Sequence, residues 1–218
     1  LLVAVLLLGS AGYVIAQPFQ SPGVGGGAGS NVPNLIGCHG IVETPADIQS
    51  ALNRLTIGRT WNEKVCLRGA FTLSSQINIP SYTVFQLDGS ITMANSANIN
   101  LLVTENGATQ IEIVGGIIDG NKAQNPTGSY SIYIQETGDV IVRNLEVRNS
   151  KGIGIRILGD GSIRIWVDKV YIRDGDAEGL ATDGTGTIDW PREVKVTNSF
   201  FRNNLRTDLL LTANSQES

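Results

Sequence analysis

The sequence predicts an all-β fold: a parallel β-helix with one short α-helix at its N-terminal end. Three observations carry this. The first is a repeat. Val140-Ile-Val-Arg-Asn-Leu-Glu-Val-Arg-Asn-Ser is followed by Ile165-Trp-Val-Asp-Lys-Val-Tyr-Ile-Arg-Asp-Gly, and then by Val194-Lys-Val-Thr-Asn-Ser-Phe-Phe-Arg-Asn-Asn. A weaker copy, Ile111-Glu-Ile-Val-Gly-Gly-Ile-Ile-Asp-Gly-Asn, precedes them. With Ile118, Val147, Ile172 and Phe201 equivalent, the steps are 147 − 118 = 29, 172 − 147 = 25 and 201 − 172 = 29 residues. Repetition at such a period means stacked units. The second observation is short apolar runs with a period of two, separated by Gly, Ser, Pro and Asn. The third is that no segment between these runs suits a crossover helix. A β-sandwich is the other all-β option, but it does not explain why equivalent positions keep their residue type.

The elements follow in order. Leu1-Leu-Val-Ala-Val-Leu-Leu-Leu leads into Val14-Ile-Ala16, which reads as a secretory signal peptide over 1–16 whose N-terminus is incomplete. A transmembrane anchor is the alternative, and the apolar stretch is short for one. Residues 17–37, rich in Gly, Pro and Ser, read as a flexible linker, and residues 38–218 as the β-helix domain. A helix is expected over 45–57. Thr44 would be its N-cap, Pro45 its first position and Asp47 a first-turn acid, with Gly58 ending it. Ile48, Ala51, Leu52 and Leu55 form one apolar stripe, so the helix is expected to cap the open end of the stack. Then come Val65-Cys-Leu, Phe71-Thr-Leu, Ile77-Asn-Ile, Val84-Phe-Gln-Leu, Ile91-Thr-Met and Leu102-Val as strands.

In such a stack each coil lies about 4.8 Å above the last. Ile118, Val147, Ile172 and Phe201 should form one inward column, and Val142, Val167 and Val196 another. Asn149, Asp174 and Asn203 should share a turn and bond along the axis. Arg148, Arg173 and Arg202 must point outward, where stacked like charges need acids to offset them. Glu146, Asp174 and Asp176 are nearby. Asp208-Leu-Leu-Leu-Thr supplies the last strand, and its uncapped apolar end is expected to continue in a longer chain.

Composition narrows the function. The 218 residues carry a net charge of −4, which argues against nucleic-acid binding. The single histidine, His39, excludes mechanisms needing two. Cys38 and Cys66 are too few for a metal site. In a secreted chain they invite a disulfide, with two free thiols as the alternative.

Asp47-Ile-Gln-Ser-Ala-Leu-Asn-Arg-Leu, Ala70-Phe-Thr-Leu-Ser-Ser-Gln-Ile-Asn-Ile-Pro-Ser and Gly115-Gly-Ile-Ile-Asp-Gly-Asn resemble the start of the pectin-lyase-like superfamily of right-handed parallel β-helices. The resemblance spans 46–212 and implies a right-handed coil. It also implies a protein that acts on, or binds, a polysaccharide along an outer groove. Against polygalacturonase-type hydrolases, the Asn-Thr-Asp motif falls on Asn149-Ser150-Lys151 and the Gly-Asp-Asp motif on Gly175-Asp176-Ala177. One carboxylate of that set remains, and the Gly-His-Gly element has no counterpart.

The candidate catalytic residues are Asp174, Asp176 and Asp183, in an acidic cluster with Glu178. Crowded carboxylates can split into acid and base, or hold Ca²⁺; alternatively they are turn residues. Lys151, Arg148, Arg173, Glu178 and Arg202 are candidate substrate contacts, because Lys and Arg pair with uronate carboxylates or sulfates. Tyr130, Tyr133, Tyr171 and Trp190 could stack on sugar rings. Two functions remain open. One is a secreted polysaccharide hydrolase or lyase, with no resident cofactor unless Ca²⁺. The other is a non-catalytic β-helix that binds glycan or serves as a surface module. Neither involves nucleic acid, or a membrane after signal cleavage.

Overall fold

The computed structural model describes residues 37–184 and 190–211. The signal-peptide reading and almost all of the linker reading fall on 1–36, outside the described residues. Among those described, no helix is long and apolar enough to cross a membrane.

The chain is a parallel β-solenoid of about seven turns. It enters through β1 (Gly40–Val42) and helix α1 (Asp47–Asn53). Two long strands follow, β2 (Glu63–Leu73) and β4 (Thr83–Met93), with β3 (Ile77–Ile79) between them. After β5 (Leu102–Thr104), each coil has three strands. These are β6 (Thr109–Val114), β7 (Ile117–Asp119) and β8 (Ile132–Gln135); then β9 (Gly138–Arg143), β10 (Glu146–Arg148) and β11 (Ile155–Leu158). Next are β12 (Ile163–Asp168), β13 (Tyr171–Arg173) and β14 (Leu180–Asp183), and last β15 (Arg192–Thr197), β16 (Phe200–Arg202) and β17 (Leu209–Leu210).

One sheet has two wings that meet at β4. The first wing runs β4-β6-β9-β12-β15 and the second β4-β7-β10-β13-β16. A separate sheet runs β3-β5-β8-β11-β14-β17. The four short runs expected around Gly69 and Gly89 are therefore two continuous strands paired over their full length, Glu63↔Thr83 to Leu73↔Met93. Glycine is the reason. Gly69 (φ +120°) and Gly89 (φ +150°) let the backbone turn the corner between wings without breaking the ladder. In the next coil Gly115 (φ +83°) and Gly116 (φ +70°) make that corner, and in the three coils after it non-glycine left-handed residues do: Asn144, Lys169 and Asn198.

The register is the one the repeat predicts. Ile91, Ile118, Val147, Ile172 and Phe201 pair in sequence along the second wing. Phe85, Ile113, Val142, Val167 and Val196 do so along the first. The third sheet adds Ile77, Leu102, Ile132, Ile155, Leu180 and Leu209. These columns pack into one core. In the last coil the cover thins: Leu180 is 0% exposed, whereas Leu209, directly beyond it, is 37% exposed.

Two expectations about the helix need correction. It spans Asp47–Asn53 rather than 45–57, and its N-cap is Ala46 rather than Thr44. The Thr44 hydroxyl donates to the Asp47 side chain (2.6 Å), so it caps no backbone N–H. At the other end the buried Glu63 carboxylate accepts from the Thr56 N–H (2.8 Å) and hydroxyl (2.6 Å), drawing the chain out of the helical path well before Gly58. The apolar stripe stands: Ile48, Leu52 and Leu55 are buried, and Ala51 packs on the same core. Cys38 and Cys66 form a disulfide that ties the chain just before β1 to β2.

Candidate functional site

The turn between the second wing and the third sheet positions the candidate residues. It opens on a left-handed residue in each of four coils: Asn121, Asn149, Asp174 and Asn203. Asn and Asp tolerate that conformation because their short polar side chains bond locally. Here they also bond along the axis. Asn149 Nδ2 donates to both oxygens of Asp119 (3.1 Å each), and Asn203 Nδ2 to Asp174 Oδ1 (3.1 Å).

Just past this ladder, Lys151 and Asp176 sit at equivalent places in successive coils. They meet, and Lys122 joins them from the coil before. Lys122 Nζ donates to Asp176 Oδ1 (2.8 Å) and Lys151 Nζ to Asp176 Oδ2 (2.9 Å). The three side chains are 31%, 32% and 29% exposed for Lys122, Lys151 and Asp176. An open depression of about 400 Å³ lies here, lined by Tyr130, Lys151, Asp176, Glu178, Leu205 and Arg206 among others.

The other candidates divide. Asp174 lies in the left-handed turn and pairs with the neighbouring Arg173 guanidinium. Glu178 lines the depression and faces Arg206 at 3.6 Å. Asp183, at the end of β14, pairs with Arg156 Nη2 (2.9 Å). Arg148 reaches Asp119 (2.7 Å) and Glu146 (3.7 Å), and Arg173 reaches Glu146 (2.8 Å). Glu146 and Asp174 thus offset the arginine column as expected. Asp176 does not, because the lysines hold it; Asp119 takes its place. Arg202, in register beyond Arg173, is exposed and has no ion pair among the described residues.

Electrostatics follow from these partners. Hydrogen bonds from Lys122, and then Lys151, hold the Asp176 carboxyl below the usual carboxylate range. Arg173, and then Asn203, do the same for Asp174. A carboxylate stabilised in its ionised form is a poor proton donor at neutral pH and a weak base. Neither Asp174 nor Asp176 is therefore suited to serve as the acid of an acid–base pair. Among the described residues no group of three or more His, Cys, Asp and Glu side chains is placed to hold a metal ion.

Beside the depression, on the outer face of the third sheet, Tyr130 and Tyr133 pack with ring centroids 5.3 Å apart. The Arg156 guanidinium lies over both rings, at 4.9 and 5.7 Å, and Nη1 donates to the Tyr130 hydroxyl (2.5 Å). Both tyrosines are half-buried rather than exposed, and burial raises the Tyr133 phenol above its ordinary value. Tyr171 is committed elsewhere: it packs on Phe200 (5.4 Å) under Arg173. Trp190 is half-buried beside 185–189.

Sequence reasoning missed Lys122, Arg156 and Asp119. Lys122 was within reach, since it follows Asn121 directly in the same turn as Lys151 and Asp176. Arg156 pairs in register with Tyr133 on the adjacent strand, and alternation along β11 makes it point outward. No protein-family model, curated protein or solved structure matches this chain.

Proposed function

We propose that this protein is a secreted, right-handed parallel β-helix of the pectin-lyase-like kind. In this reading it binds an acidic polysaccharide at the depression around Lys151 without cleaving it. The observation that carries it is the state of the carboxylates: Asp176, Glu178, Asp174 and Asp183 each have a basic partner from the protein. The cations that line the depression, Lys151 and Arg206, stand beside Tyr130 and are the groups a ligand would meet. Such a surface suits acidic sugars: charge-assisted bonds take the carboxylates, and a ring face takes the sugar's apolar side. The right-handed coil agrees with the resemblance and with the strong right-handed preference of parallel crossovers. The capping role of α1 is supported by its buried Ile48 and Leu52. Secretion is supported by the disulfide, which persists in oxidising compartments.

One observation favours an enzyme instead. Asp176 and Glu178 line the same depression, as a hydrolase pair would. Incubation with acidic and neutral glycans, assayed for reducing ends and for unsaturated products, separates the readings. Binding without turnover is the expected result. Turnover that disappears in Asp176→Ala would establish the hydrolase or lyase and overturn the binding module.

A further inference from the structure

Three consecutive coils build the seat around Asp176. Lys122 follows β7, Lys151 follows β10 and Asp176 follows β13, so stacking alone brings two ammoniums to one carboxylate. Each oxygen takes one ammonium, at 2.8 and 2.9 Å. Among the described residues, the Asp176 carboxylate has no other hydrogen-bond donor. Its backbone is fixed separately, by its N–H to the Ser150 carbonyl (2.9 Å), so the side chain can leave without unmaking the turn. All three side chains are about one-third open to solvent. Ion pairs this open to solvent contribute little individually, so an incoming anion can exchange with the resident one. An ammonium also offers three donors, of which a single carboxylate oxygen uses one.

We propose that Lys122 and Lys151 form an anion seat within the glycan site, and that Asp176 is its resident occupant, displaced by the carboxylate or sulfate of the ligand. The proposal rests on the glycan-binding reading and gives Asp176 a role opposite to catalysis. It also fixes a sign. If Asp176 merely positioned the lysines, its removal would weaken binding. If it occupies the seat, its removal strengthens binding. Counting Lys122, Lys151 and Arg206 against Asp176 and Glu178, the local charge rises from 3 − 2 = +1 to 3 − 1 = +2 in Asp176→Asn.

The test measures affinity of the full chain for polygalacturonate (carboxylated), dextran sulfate (sulfated) and dextran (neutral) by titration calorimetry at constant salt. Asp176→Asn should bind one or both polyanions about tenfold more tightly than wild type, the effect of one unit charge a few ångströms away when it is screened nearly as in bulk water. Adding Lys122→Gln and Lys151→Gln should remove that gain, and dextran should not respond. Asp176→Ser is a second variant, with circular dichroism confirming that both keep the fold. Which polyanion responds identifies the anion. Tight binding by Asp176→Asn alone would still support the proposal. Equal or weaker binding by both Asp176 variants, with wild type binding well, overturns the resident-occupant role and leaves the glycan reading standing. Binding by none of the proteins overturns both.

Discussion

Gly69 and Gly89 face each other across the β2–β4 ladder and offer a controlled comparison. Both have φ in the range that favours glycine, +120° and +150°. A Cβ on Gly69 would meet no atom within 4 Å, whereas a Cβ on Gly89 would lie 1.9 Å from the Gly69 carbonyl oxygen and 2.7 Å from its carbon. Gly69→Ala therefore incurs only backbone strain, on the order of 1–3 kcal/mol. Gly89→Ala incurs similar strain plus an overlap of more than 1 Å with backbone that eleven ladder pairs hold in place. We expect the second variant to lose at least about 2 kcal/mol more than the first, in the range of severe steric and backbone defects. Urea unfolding followed by far-ultraviolet circular dichroism measures this, with the m-value checked for two-state behaviour. Failure of Gly89→Ala to fold, beside a folded Gly69→Ala, is the extreme form of the same outcome. Equal losses in the two variants would refute the steric argument, because strain alone would then account for both.

Other outcomes follow from the same coordinates. Replacing Cys38 and Cys66 by alanine opens a loop with a separation of 28 residues, for which chain entropy gives a loss of about 3.5 kcal/mol; hydrogen exchange should show the loosening concentrated at β1 and the start of β2. Val147→Ala, fully buried between Ile118 and Ile172, should cost about 2–3 kcal/mol in denaturant unfolding, and a loss under 1 kcal/mol would mean that the column collapses around the gap. Asp139 accepts from Arg164 Nε (2.5 Å) and Nη2 (2.8 Å) and from Thr109 (3.0 Å), and chiefly the Arg164 bond holds its carboxyl below the usual range. A lowered folded-state pKa contributes stability that is complete above the unfolded value of about 4 and is lost as pH falls through the folded one. Asp139→Asn should thus be less stable than wild type at neutral pH and converge with it in strong acid, and a gap that persists in acid would exclude the ionised carboxylate as the cause.

The architecture was legible because stacking forces residue type to repeat. The Ile118, Val147, Ile172 and Phe201 column could be written down from the rows alone, and so could the Asn149, Asp174 and Asn203 turn. The corner at Gly69 and Gly89 was harder: a glycine inside a β pattern reads as a break, and only the positive φ shows it as a bend within one strand. The helix limits were misjudged because the Thr44 hydroxyl donates to the Asp47 side chain instead of accepting from a backbone N–H, and because Glu63 holds Thr56 outside the helix. The site was half legible. Alignment in the turn brought Lys151 and Asp176 to the same place, but charge sequence does not reveal which cation a carboxylate chooses. Lys122 and Arg156 each lie more than 25 positions from their acids in the chain, and only the coil pitch makes them neighbours.

The Cys38–Cys66 bridge also decides how the coil would bear a load. Tension entering from upstream of Cys38 passes through sulfur to Cys66 in the middle of β2, bypassing the three residue pairs of β1. The load then enters the eleven-pair β2–β4 ladder at Cys66, within the strand rather than through β1. The weakest-looking end of the solenoid is thereby fastened to its longest seam, and a reducing agent would move the point of attachment back to the short strand.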